Sequence, residues 1–212
     1  MTLQKNTLAL LTAYLSFNLL ELFCAQFITN NDFLYPTLTI LNLFLVIILL
    51  SLNHYYQATN NLEQGVKPTK LHLSLLILAT SLGLFIIQKL GLYFESTFLH
   101  QPAFSKNTNL LLAIVQKYPY YLVVVAFCAP LCEELIFRKV LYGNLSNYFN
   151  IGLCLVASSM LFSVAHGDGH YLTYWLIGML LGLCYRYSQT ILAPILAHLI
   201  MNAIVLGLNF SQ

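Results

Sequence analysis

Long uninterrupted apolar stretches constrain the fold of this chain more than any other feature of its sequence. A helix needs about 20 mostly apolar residues to cross a bilayer, and such stretches lie at roughly 8–28, 33–53, 71–94, 118–141, 149–166, 170–187 and 190–209. The apolar residues run on continuously, which is the pattern of membrane helices rather than of half-buried strands. The sequence therefore predicts an all-α, polytopic transmembrane helix bundle with about seven spans, in which residues 1–212 form a single membrane domain.

The composition indicates that lipid is the solvent for most of the surface. Hydrophobic residues make up 59% of the chain and charged residues 8%, whereas a soluble domain carries about 25% charged residues. The net charge of +2 without a run of basic residues excludes nucleic acid as a partner. We therefore expect an integral, multi-pass protein in contact with membrane lipid. Each of the five cysteines lies in an apolar stretch, where a free cysteine behaves as a small buried hydrophobe.

Ionisable and strongly polar residues are concentrated in the second half of the chain. Each ionisable group within a membrane span costs on the order of 2.5–3.5 kcal/mol on insertion scales, so such groups persist where they pair or perform chemistry. In the first half, only Glu21 and Lys89 are expected to lie at comparable depth. Glu21 is interpreted as a helix-packing or topology residue. Function is therefore predicted to lie after residue 118. The residues that carry this prediction are Glu133, Glu134, Arg138, His166, His170, His198 and Asn202.

Two adjacent glutamates have different surroundings along their own helix. Glu134 and Arg138 are four residues apart with the carboxylate nearer the N-terminus, which is the favourable order for an ion pair. We therefore predict that Glu134 and Arg138 are structural. Glu133 is rotated by about 100° from Glu134 and has no partner in reach along its helix. An unpaired carboxylate that faces a cavity is suited to act as a general base.

Two histidines and an amide follow on later hydrophobic segments. His166 lies near the end of one helix, while His198 and Asn202 share one face of the last helix. His170 is the expected bystander, because Gly167 and Gly169 should end the helix before it. Glu133, His166 and His198 can converge on one point and activate water, either directly or through a metal with three protein ligands and an open position.

At these residues the sequence resembles the CPBP family, which comprises the CAAX proteases and bacteriocin-processing enzymes and is also called Abi. The family pattern reads here as Glu133-Glu134-x-x-x-Arg138, Phe162-x-x-x-His166 and His198-x-x-x-Asn202. Each motif is weak alone, but the three in order on separate helices form a strong signal. The resemblance covers residues 118–205, which would carry the catalytic core.

The resemblance implies an intramembrane endopeptidase. In the family, the first glutamate activates the attacking water, which carries over to Glu133. His166 would help to hold that water or a metal, and His198 and Asn202 would stabilise the oxyanion. If a divalent metal such as zinc is bound, its ligands would be Glu133, His166 and His198, although a metal-free glutamate mechanism fits the same residues. The substrate would be a peptide or a lipid-anchored protein, and the compact chain looks like a member from a bacterial cell membrane, active in bacteriocin self-immunity or peptide maturation.

Two other classes of function are open to such a sequence. A small proton-coupled transporter would use buried glutamates and histidines as a relay, but it should show polar interruptions in both halves of the chain. A non-catalytic membrane protein could confer immunity by binding. The intact motif set favours chemistry. One difficulty is depth, since a simple helix count puts His166 near one membrane face and Glu133 and His198 deeper. A tilted helix or a re-entrant turn at 166–170 would reconcile them.

Overall fold

The protein is a bundle of helices. The computed structural model describes residues 2–102 and 105–210, and it contains no strand within those ranges. The predicted all-α fold is therefore confirmed. The helices of the described residues are α1 (Thr2–Phe27), α2 (Asn31–Tyr56), α3 (Lys70–Phe98), α4 (Lys106–Lys117), α5 (Pro119–Asn147), α6 (Ile151–His166), α7 (Tyr171–Ser188) and α8 (Leu192–Phe210).

Each of the seven predicted spans coincides with one of these helices. By length and composition, four helical segments are long and apolar enough to cross a membrane, and they are Leu3–Phe27, Asn31–Tyr56, Lys70–Phe98 and Pro119–Asn147. The helices α6 and α8 are apolar but shorter. The estimate of about seven spans is roughly consistent with this arrangement. The chain is an integral, multi-pass membrane protein.

The helix α4 lies where the sequence predicts only a connection. Its 12 residues extend about 18 Å, which is too short to cross a bilayer. Ser105 begins the helix, because its hydroxyl accepts a hydrogen bond from the Thr108 N–H at 3.0 Å. Val115 then packs in an apolar cluster with Val125 of α5 and Leu206 of α8. Because its first turn is polar, the segment has no apolar run long enough to predict a helix.

The outer faces of the long helices are apolar. Leu19 of α1 is 67% exposed, and Leu90 of α3 and Leu161 of α6 are also exposed. Such surfaces are stable in hydrocarbon and would be costly in water. The polar groups instead lie inside the bundle, where Glu134 and Arg138 are almost completely buried. The distribution is that of a protein whose solvent is lipid.

The helix α5 occupies the middle of the bundle, where it contacts α1, α2, α6 and α8. Its turns are π-helical at Val124–Cys128 and Glu134–Asn144, with an α-helical turn at Ala129–Glu133 between them. Wider turns of this kind are rare and often mark functional sites. They also change which backbone groups pair within the helix. One backbone carbonyl of α5 accepts a hydrogen bond from the neighbouring α6, since the Ser158 hydroxyl donates to the Phe137 carbonyl at 2.5 Å.

A buried polar network lies at the end of the bundle where α5 ends. Lys139 pairs with Glu63 and donates to the Ala58 carbonyl at 2.8 Å. The Tyr185 hydroxyl donates to Glu63 at 2.7 Å and accepts from the Asn60 amide at 2.8 Å. Among the described residues, none of the buried side-chain polar atoms of this network lacks a partner. We call it the polar lock, formed by Asn6, Asn60, Glu63, Lys139, Asn144 and Tyr185.

Candidate active site

One cavity of about 320 Å³ brings together the four residues that the motifs single out. Glu133 of α5, His166 of α6, and His198 and Asn202 of α8 all line it. Their catalytic roles remain a prediction. The cavity resolves the expected conflict of depth, because it extends along α8 from His198 to Leu206, a distance of about 12 Å. A residue at the end of α6 can therefore reach the same space as residues deeper in the bundle.

The two adjacent glutamates face different surroundings. Glu134 is fully buried, and its Oε2 lies 3.2 Å from the Arg138 Nε. Glu133 retains 23% exposure of its side chain, and its Oε2 lies 3.9 Å from the His198 Nε2. The pairing of Glu134 with Arg138 is the one that their spacing predicts. Glu133 is the carboxylate that faces the cavity.

Glu134 also fixes the orientation of His198, which sequence spacing alone did not reveal. The Nδ1 of His198 lies 2.9 Å from Oε1 of Glu134, so that nitrogen donates its hydrogen to the carboxylate. The other nitrogen, Nε2, is then directed toward the Glu133 side of the cavity. One carboxylate thus holds both Arg138 and His198. The first and third motifs are joined through it.

Phe162 joins the second motif to the first. The Arg138 guanidinium carbon lies 4.1 Å from the centre of the Phe162 ring, which is the geometry of a cation–π contact. No hydrogen-bond partner is found among the described residues for Nη1 and Nη2 of Arg138, so the aromatic face stabilises that part of the charge. The Phe162 ring in turn lies 4.5 Å from the ring of His166. The phenylalanine of this motif therefore has an electrostatic role as well as a packing one.

His166 is held by its own helix and by α7. Its Nδ1 lies 2.9 Å from the Phe162 carbonyl, and a carbonyl can only accept, so Nδ1 carries the hydrogen. In the neutral ring, Nε2 is then free to accept a hydrogen bond. The ring stacks on Tyr174 with centroids 3.9 Å apart. The Tyr174 hydroxyl contacts Asp168 and Ser105, each at 3.2 Å, which ties the start of α4 to the loop after His166.

A proline and a π-helical turn in α5 position Asn202. The Ala129 N–H bonds to the Val124 carbonyl, and Pro130 has no N–H to give. The Val125 carbonyl therefore lacks a donor within its own helix, and the Asn202 amide donates to it at 3.2 Å. The second N–H of the Asn202 amide takes no part in this hydrogen bond. Pro130, three residues before Glu133, was the sequence signal that could have indicated this arrangement.

The first half of the chain contributes more to the site than the sequence indicates. The sequence predicts function after residue 118, yet α1, α2 and α3 supply polar residues to the same cavity. Glu21, expected to be a packing residue, is one of them, and Asn42 donates to its Oε1 at 2.6 Å. The polar residues of these three helices that line the cavity are Tyr14, Asn18, Glu21, Asn42 and Gln88.

Glu95 was also missed, because it lies near the end of its predicted span. It is 1% exposed and accepts from the Leu172 N–H at 2.8 Å at the start of α7, where a helix favours negative charge. His170 lies 3.1 Å from the same carboxylate. His170 does not line the cavity, which agrees with its expected role as a bystander.

The three side chains predicted as metal ligands do not form a metal-binding group in this structure. Within residues 2–102 and 105–210, no three His, Cys, Asp or Glu side chains are grouped so that they could hold a metal ion. Glu133 and His198 are near one another. The stack on Tyr174 covers a face of the His166 ring and leaves its in-plane Nε2 available.

The fold and the site together indicate the class of protein. It is a helical membrane bundle in which residues of three sequence motifs line one cavity. Residues 115–204 match the family described as type II CAAX prenyl endopeptidase Rce1-like. The matched range includes every motif residue from Glu133 to Asn202, so the match confirms the resemblance to the CPBP family. The segment 115–204 is therefore of the CAAX-protease type.

Two curated bacterial proteins are similar to this chain. YdiL of Bacillus subtilis (strain 168), named as a candidate membrane peptidase, is 37% identical over 105 residues, which are 48% of this chain and 42% of YdiL. MroQ of Staphylococcus aureus (strain USA300), named as a membrane-embedded CAAX protease, is 34% identical over 109 residues, which are 48% of this chain and 44% of MroQ. The matches thus cover less than half the length of these relatives. No solved structure gives a significant match to this chain.

Proposed function

We propose that this protein is an intramembrane endopeptidase of the CAAX-protease type that cleaves peptide bonds with a water molecule activated by Glu133. The observation that carries the proposal is the convergence of Glu133, His166, His198 and Asn202 on one cavity. These residues come from three helices and three separate motifs. A purely structural role would not require them to face a shared space.

Glu133 is the general base in this proposal. Its carboxylate is partly exposed to the cavity and pairs with neither cation of its own helix, whereas Glu134 is neutralised by Arg138. Glu133 takes a proton from water as the oxygen attacks the scissile carbonyl, and then returns that proton to the departing amine. General acid–base catalysis of this kind contributes typically about 10²–10⁴ in rate. The free Nε2 of His166 accepts a hydrogen bond from the same water and holds it for attack.

His198 and Asn202 stabilise the negative charge that develops on the carbonyl oxygen. His198 donates Nδ1–H to Glu134 and directs Nε2 into the cavity, where a hydrogen on Nε2 would be donated to the oxyanion. The Asn202 amide is fixed by the Val125 carbonyl, so its remaining N–H is oriented before the substrate arrives. Donors that are already in place lose little free energy to reorganisation during the reaction.

The substrate is a peptide or a lipid-anchored protein. The name of the matched family refers to prenylated CAAX sequences, and a cavity inside a membrane bundle suits a chain that arrives through the lipid. Peptide maturation and bacteriocin self-immunity are the physiological settings that we propose for a bacterial enzyme of this kind. Zinc ligation by Glu133, His166 and His198 stays a prediction that metal analysis of the purified protein can test.

The proposal can be tested with the purified full-length protein in proteoliposomes. The probes are a quenched-fluorescence peptide that ends in a farnesylated CAAX sequence and the same peptide without the lipid. We expect wild type to cleave at least one of them and Glu133→Gln to lose at least about 10² in rate at equal abundance. Glu134→Gln is not a suitable control because it alters His198, so Lys70→Met at the exposed start of α3 serves instead.

The same variants separate catalysis from a binding role. A membrane immunity protein that acts only by binding should protect cells from its bacteriocin equally well as wild type and as Glu133→Gln, provided that the helix packs. Full protection by Glu133→Gln, together with no cleavage of either probe by wild type, would contradict the proposal. Loss of protection in that variant at normal abundance would support an immunity role exerted through proteolysis.

A further inference from the structure

The central cavity holds a carboxylate that the proposed mechanism does not use. Among the described residues that line it, two are carboxylates, Glu21 and Glu133, and none is a lysine or an arginine. The proposed mechanism uses Glu133. It gives no role to Glu21, which lies on α1 outside the segment of CAAX-protease type. A second carboxylate in a cavity without a lysine or an arginine favours ligands that bring positive charge.

Glu21 differs from the other glutamates within the bundle in the partner that it has. Glu134 pairs with Arg138, Glu63 with Lys139, and Glu95 with His170. The hydrogen-bond partner of Glu21 is the neutral amide of Asn42, whose nitrogen lies 2.6 Å from Oε1. An amide orients a carboxylate but does not neutralise it. In a low-dielectric site, a carboxylate without a counter-charge is costly.

Gln88 supplies an independent observation from a different helix. Its side chain lies on α3, is 8% exposed and lines the same cavity. Its Oε1 is buried and has no hydrogen-bond partner among the described residues. A buried acceptor without a donor costs about 1–3 kcal/mol, so its presence at a cavity points to a ligand that carries N–H groups. Glu21 and Gln88 thus favour the same ligand chemistry.

We propose that Glu21, oriented by Asn42, forms a subsite for a cationic nitrogen of the peptide substrate, with Gln88 accepting a backbone N–H nearby. The cation is a lysine or arginine side chain, or a free α-amino group. The inference rests on the proposed endopeptidase function and adds a charge preference to it. Because the contact forms in the ground state and persists through the reaction, it should lower KM for basic substrates without changing kcat.

The test uses quenched-fluorescence peptides cleaved by the full-length protein in proteoliposomes. Each peptide carries one lysine within five positions of the scissile bond, and its partner peptide carries norleucine there. A second pair compares a free with an acetylated N-terminus, which separates a side-chain cation from an α-amino group. We expect wild type to prefer one cationic member roughly tenfold in kcat/KM, and Glu21→Gln to lose that preference through KM alone.

Three further measurements keep the test informative. Glu21→Asp should retain the preference, and Glu21→Lys should shift it toward a peptide with glutamate at the same position. In a binding assay, the Glu133→Gln variant is labelled with a photocrosslinking peptide, and the lysine peptide should compete with the label better than the norleucine peptide does. Addition of Glu21→Gln to that variant should abolish the difference. This binding assay does not depend on turnover, so it remains valid if no peptide is cleaved.

The outcomes separate the two proposals. Equal cationic preference in wild type and folded Glu21→Gln, or no cationic preference in cleavage and competition alike, overturns the subsite and leaves the endopeptidase proposal intact. Cleavage that survives Glu133→Gln overturns the endopeptidase mechanism, whatever the charge preference. Because the norleucine and acetyl comparisons change only the peptide, they hold even if a Glu21 variant fails to fold.

Discussion

The central cavity and the polar lock are built from the same kinds of residue inside one apolar bundle, but their hydrogen bonds are organised differently. In the lock, Lys139 meets Glu63 and the Ala58 carbonyl, and Tyr185 bridges Glu63 and Asn60. In the cavity, Glu21 has an amide partner and Gln88 has a free acceptor. Buried polar groups are compatible with a stable fold when each of them has a hydrogen-bond partner.

The difference separates structural from functional polar groups in this protein. A network whose donors and acceptors match stabilises the fold and needs no further component. A site with a buried acceptor that lacks a donor lowers stability and is retained where a ligand completes it. Arg138 belongs to neither group, because it contacts the motif residues Glu134 and Phe162 and does not itself line the cavity. Substitutions in each of these regions probe the distinction.

Arg138→Met should have the largest effect on stability. It leaves Glu134 buried without its cation, and breaking a buried pair from one side costs about 3–5 kcal/mol. We expect low abundance in membranes and a lower unfolding temperature in detergent. Glu134→Gln combined with Arg138→Met should recover part of the loss, because no buried charge is then left alone. Normal abundance of the single variant with only activity lost would mean that Arg138 has a catalytic role instead.

Asn202→Ala should reduce turnover while the protein remains folded. Loss of one oxyanion donor costs about 10²–10³ in rate, and the effect should appear in kcat far more than in substrate affinity. His198→Ala should give a similar defect, and the double variant should be scarcely worse than either, because residues that act as a unit are non-additive. Multiplicative losses in the double variant would argue that the two side chains act independently. The measurement is steady-state kinetics at matched expression.

Lys139→Met should affect the lock and spare the chemistry. It removes the cation from Glu63 and a donor from the Ala58 carbonyl, and a buried group left unsatisfied costs about 1–3 kcal/mol. We expect a lower unfolding temperature with kcat unchanged for the molecules that fold. Lys70→Met, at an exposed position, is the matched control and should change neither quantity. A specific loss of kcat in Lys139→Met would remove the distinction between lock and cavity.

Tyr174→Phe should have the smallest effect of the four. It keeps the ring that stacks on His166 but removes the hydroxyl that contacts Asp168 and Ser105. Loss of such a hydrogen bond costs about 0.5–1.5 kcal/mol, so we expect a small drop in stability and a few-fold drop in rate. Tyr174→Leu should lose more activity because His166 then has no aromatic face to stack on. Equal activity of the two variants would show that the stack does not orient His166.

The sequence was sufficient for the features that depend on local periodicity. Continuous apolar stretches predicted each long helix, because burying backbone polar groups in lipid requires helices. The spacing of Glu134 and Arg138 predicted their ion pair, and the three motifs predicted which residues would face a common space. The helix α4 is not predicted for the same reason, since its polar first turn interrupts the apolar pattern.

Only the tertiary structure decided how the motifs act on one another. Contacts between helices, such as those from His198 to Glu134 and from Arg138 to Phe162, depend on helix rotation, which π-helical turns in α5 change. The contribution of Glu21 to the cavity depends on how α1 packs against the later helices. Sequence spacing determines which residues share a face of one helix, whereas the partner of that face is chosen by packing across the whole bundle.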